Sequence, residues 1–75
     1  MASSELDCVM EATKSDGTTG SYYVYRKNSS YSITPPNGLS YLCHDSVKNI
    51  ENVKSEIWTV FSATVTKVTP SSLLG

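Results

Sequence analysis

A chain of 75 residues can enclose one hydrophobic core and not two. Its hydrophobic fraction of 39% and charged fraction of 17% exclude a solvated disordered tail, which combines few apolar residues with high charge. A net charge of −1 speaks against a dedicated nucleic-acid binder, because phosphate affinity rests on a basic excess.

The first ten residues lack the basic and apolar regions of a secretory leader. No apolar run approaches the roughly 20 residues that span a bilayer. These features read as a cytoplasmic chain without a membrane partner, forming a single domain over 1–75 with 70–75 as a short tail.

In chain order, residues 6–13 read as a first strand. Residues 14–20 form a turn cluster holding Asp16-Gly17. Residues 21–27 are dense in aromatic and β-branched side chains and read as a second strand. Asn28, Ser29 and Ser30 make a turn, which also matches a glycosylation acceptor by chance. Residues 31–34 pair back as a third strand. Pro35, Pro36, Asn37 and Gly38 then break the chain, and 39–44 is a short extended run.

Residues 46–61 carry a helical period. At about 100° per residue, Val47, Ile50, Val53, Ile57, Trp58, Val60 and Phe61 share one half of the circumference. Asp45 or Ser46 would cap the first turn, and Glu51 with Lys54 sits at ion-pair spacing. Residues 63–69 alternate threonine and valine as a closing strand, which Pro70 ends. The expected fold is therefore α+β: a mostly antiparallel sheet of three to four strands, one helix over 46–61 on one face, and a closing strand. An all-β barrel or sandwich is the alternative.

No arrangement of chemistry-bearing residues calls for catalysis, a metal or a cofactor. Cys43-His44-Asp45 holds nucleophile, base and carboxylate types, but neighbours in an extended chain point to opposite faces. No CxxC or HxxxH spacing supports a metal. Cys8 and Cys43 could form a disulfide or remain structural thiols.

The surplus lies in the tyrosines. Tyr23 and Tyr25 share one strand face with Lys27, while Tyr22, Val24 and Arg26 share the other. One helix covers one face, so part of this aromatic set faces outward. The expectation is a non-catalytic protein–protein interaction module, an assembly component or inhibitor docking on a larger protein. Its contacts would come from Tyr22, Tyr23, Tyr25, Arg26, Lys27 and Tyr31, with Leu73 and Leu74 of the tail assisting. Self-association stays open. The alternatives are a single-strand nucleic-acid binder using the same hairpin, and a small thiol or metal-dependent enzyme.

Overall fold

The computed structural model describes residues 5–27, 30–43 and 49–74, with the Lys27 side chain left aside. Asn28, His44, Asp45 and the expected first helical turn at 46–48 lie outside the described residues. One antiparallel sheet carries a single helix on one face, the α+β arrangement expected from the sequence. It has five strands, counting the short fourth and the closing one: β1 Glu5–Lys14, β2 Thr19–Lys27, β3 Ser30–Thr34, β4 Tyr41–Cys43 and β5 Ala63–Pro70. Their spatial order is β4-β3-β2-β1-β5, so helix α1, Ile50–Phe61, carries the chain from one sheet edge to the other.

Alternation explains which side is core. Cys8, Met10 and Ala12 of β1 are buried, as are Tyr22 and Val24 of β2, Tyr31 and Ile33 of β3, and Cys43 of β4. These point toward α1, which lays Val53 and Ile57 onto them, with Phe61 partly buried behind. The Tyr22 and Phe61 rings meet at 5.3 Å between centroids, tilted by 54°, a favourable aromatic geometry. Tyr41 of β4 reaches the same ring edge-on, at 6.4 Å.

The helix starts later than its period suggests. Asn49 has extended backbone (φ −115°, ψ 159°), so α1 begins directly after it. Its side-chain oxygen accepts a hydrogen bond from the Asn52 amide at 2.8 Å, satisfying one orphan donor of the first turn. Asn49, rather than Asp45 or Ser46, is therefore the cap. The Glu51–Lys54 pair forms at 3.5 Å on the exposed side. At the other end, Ser62 adopts the left-handed conformation (φ 56°) and its amide donates to the Trp58 carbonyl at 2.9 Å.

The β1–β2 hairpin turns on Asp16 and Gly17. Asp16 Oδ1 accepts from the Thr18 amide at 2.9 Å, and Gly17 supplies a φ of 90° that other residues resist. Hydrogen bonds from Thr18, first from its hydroxyl and then from its amide, hold the Asp16 carboxyl below its ordinary range.

The Cys8–Cys43 bridge left open by the sequence is excluded by topology. β1 and β4 are separated by β2 and β3. Three strand spacings come to about 14 Å, against roughly 7 Å as the upper limit for bridged Cα atoms.

Candidate interaction surface

The helix covers one face of the sheet. The side chains of the opposite face follow from register. Leu6 pairs with Tyr25, Tyr25 with Ser32, and Ser32 with Leu42, making one row across four strands. Thr34, Tyr23, Val9 and Thr69 make the next row. Beyond them the face turns polar, through Ser21, Glu11 and Lys67, then Thr19, Thr13 and Thr64. The open face is thus divided along the strand direction into an apolar, aromatic half and a charged, hydroxylic half.

The apolar half is the unusual one. Leu42 is 53% exposed and Tyr23 41%, while Tyr25 and Leu6 are half-buried. Val9, between Tyr23 and Thr69, is buried by its neighbours even without a covering layer. A register shift between Leu6 and Cys8 matters here. It turns Leu6 onto the Tyr25 face, while Cys8 stays with Val24 in the core. Leu73 and Leu74, 74% and 49% exposed, follow Pro70 at the same end of the sheet, where their short 3-10 turn (Ser71–Leu73) packs on β1.

Several groups of the polar half bond to one another or to the sheet backbone. Ser21 Oγ donates to Glu11, the Thr13 and Thr19 hydroxyls meet at 3.2 Å, and Thr66 Oγ1 donates to the Glu11 carbonyl at 3.3 Å. Covering the apolar half removes more apolar area from water, so that half gains most by being covered.

The residues singled out from the sequence therefore separate. Tyr22 and Tyr31 are core side chains, 2% and 4% exposed, and cannot meet a partner. The period of two decides this: both stand on the face that α1 covers. Arg26 is exposed but belongs to the helix side, beside Cys8, Asn49 and Ile50, rather than to the Tyr23 face. Tyr23, Tyr25, Leu73 and Leu74 remain, and Leu6 and Leu42 join them. Alternation in 39–44 could have found Leu42. Leu6 could not be found, because the bulge that turns it outward leaves no mark in the sequence.

Trp58 is the second departure. Helical periodicity places it on the buried face, yet it is 56% exposed. The contact line of α1 is Val53-Ile57-Phe61, and Trp58 stands about 100° round from Ile57. Its indole overhangs β5 and walls a groove of about 420 Å³ with Glu51, Lys54, Ser55, Ala63, Thr64 and Val65.

Two titrating groups bear on chemistry. Burial, then the neighbouring Asp7 charge, pushes the Cys8 thiol up to about 11. A thiol in that state stays protonated at neutral pH and is a poor nucleophile or metal ligand. The Glu56 carboxylate, as hydrogen-bond partner and as charge, raises the Tyr41 phenol above its ordinary value. That contact ties β4 to α1. No group of three metal-ligating side chains gathers among the described residues, and no described helix is long and apolar enough to cross a membrane.

Comparison with known proteins finds no matching family model, no matching curated protein and no matching solved structure. The functional reading rests on the chain's own geometry.

Proposed function

We propose that this domain is a non-catalytic protein–protein interaction module, docking on a larger protein as an assembly linker or inhibitor. The contact surface is the apolar half of the helix-free sheet face, with the Leu73-Leu74 tail at its margin. One observation carries the reading: the row Leu6-Tyr25-Ser32-Leu42 and the adjacent Tyr23 leave aromatic and aliphatic area uncovered beside a polar half with several hydrogen-bonded groups. Apolar centres rimmed by polar residues, with tyrosine prominent, are the composition of docking surfaces.

The test compares the wild-type chain with the double variant Tyr23→Ser/Leu42→Ser, its fold verified by circular dichroism. Quantitative affinity capture from native extract is expected to yield a partner that the double variant loses at least tenfold. Identical captured sets for the two proteins would remove the reading. Stacking of single-stranded nucleic acid on the same tyrosines has less support, because Arg26 stands on the other side of the sheet. Fluorescence anisotropy with labelled oligonucleotides at low salt separates the two, since micromolar binding there would favour the nucleic-acid alternative.

A further inference from the structure

We infer that the groove between α1 and β5 is a second docking site, which accepts an extended peptide segment of another protein as a sixth strand. The site does not depend on the apolar half of the helix-free face; it meets that face only at its polar β5 edge, where Lys67 stands.

Three observations combine. First, β5 is a sheet edge that pairs with β1 and no other described strand. Its outer side presents backbone donors and acceptors that only an extended chain can pair along their length. Second, the groove of about 420 Å³ runs beside that edge, with Ala63 and Val65 on the strand side and Trp58 on the helix side. The indole, 56% exposed on the helix side of the groove, offers a ring face that a ligand side chain lying between it and Val65 would cover. Third, charge narrows the occupant. Lys54 is already paired with Glu51, but Lys67, further along β5, makes no ion pair with any described carboxylate. Its cross-strand neighbour Glu11 accepts the Ser21 hydroxyl instead. An added strand would turn its residue beside Val65 toward Trp58 on the helix side and its residue beside Lys67 onto the helix-free side, so an apolar side chain fits the first place and a carboxylate the second.

A second copy of this chain fits poorly. Antiparallel overlap of two β5 strands brings the two Lys67 ammonium groups within one residue step of each other. Pro70 contributes no donor to such a pair, and the bulge around Thr66 bends the edge. Lysine, proline and bulges on an edge are the usual barriers to self-pairing.

The experiment is a selection of displayed random ten-residue peptides against the full chain, with Trp58→Ala selected in parallel. Enriched peptides are then titrated against the emission of the chain's single tryptophan. The expected result is enrichment, on the wild type only, of proline-free peptides alternating apolar and acidic residues. Their binding shifts the emission to the blue. It falls at least tenfold on peptide backbone N-methylation and at least fivefold in Lys67→Glu, a variant that leaves the core untouched. Tyr23→Ser/Leu42→Ser should bind these peptides as the wild type does, so that this site and the open face fail or stand separately. Equal enrichment on Trp58→Ala, binding indifferent to both N-methylation and Lys67→Glu, or self-pairing through β5 in sedimentation would each overturn the inference.

Discussion

Ser62 holds a left-handed backbone at φ 56°, the point where α1 turns into β5. A side chain with a Cβ is strained there by roughly 1 kcal/mol, and glycine is not. Ser62→Gly is therefore expected to stabilise the domain by about 0.5–1 kcal/mol, read as a rise in the urea midpoint at unchanged slope. Cys8 makes a prediction of the opposite kind. Its folded thiol, at about 11, lies above the ordinary value of 9.0, so the unfolded chain ionises first as pH rises. The stability tied to the protonated thiol is whole below pH 9 and is lost progressively between pH 9 and 11. Urea titrations at pH 8 and pH 10.5 should show it, and Cys8→Ala should reduce the difference, the raised Tyr22 and Tyr41 phenols accounting for the remainder. At pH 7.5 the same thiol should react with iodoacetamide far more slowly than in urea. A wild-type stability that does not fall between pH 8 and pH 10.5, or rapid alkylation at Cys8 in the folded protein, would show that Cys8 is not buried as described.

At the scale of elements, the helix shows how a period can be right and its edge wrong. The stripe Val53-Ile57-Phe61 was legible, because i, i+4 and i+8 recur on one face and each does contact the sheet. Trp58 was misplaced because a half-circumference count treats every apolar residue as inward, whereas only the central line meets a sheet that ends at β5. The start was misplaced because polar residues at 45, 46 and 49 all offer capping oxygens, and only the backbone of Asn49 shows which one is used. The two readings of α1 separate experimentally. Ile57→Ala should cost about 2–5 kcal/mol, since the side chain is fully buried. Trp58→Ser, despite removing the larger side chain, should cost only about 1–2 kcal/mol, because more than half of its surface is already in water. Thermal or urea melts of the two variants check this, and equal losses would place Trp58 in the core after all.

At the scale of the whole molecule, a five-stranded sheet with one helix leaves an asymmetry that composition alone anticipated. Strand positions and the α+β class followed from aromatic and β-branched runs punctuated by Asp16-Gly17 and by Pro35 to Gly38. What could not be read was which strand face the helix would cover. Val24 sits among tyrosines on either side, so only three-dimensional pairing sorts Tyr22 and Tyr31 inward and Tyr23 and Tyr25 outward. The bulge after Leu6 was equally invisible, because any residue at Asp7 could form it. The proposed docking surface is smaller than the tyrosine count suggests, and it is confined to one half of one face.

That surface can be tested by hydroxyl-radical footprinting of the chain alone and in complex with its captured partner, read residue by residue by mass spectrometry. In the free chain Tyr23, Leu42 and Tyr41 should oxidise readily, and Tyr22 and Tyr31 should not. In the complex Tyr23 and Leu42 should lose their reactivity while Tyr41, on the helix side, keeps it. Unchanged oxidation of Tyr23 and Leu42 alongside protection of Tyr41 would contradict docking through the helix-free face.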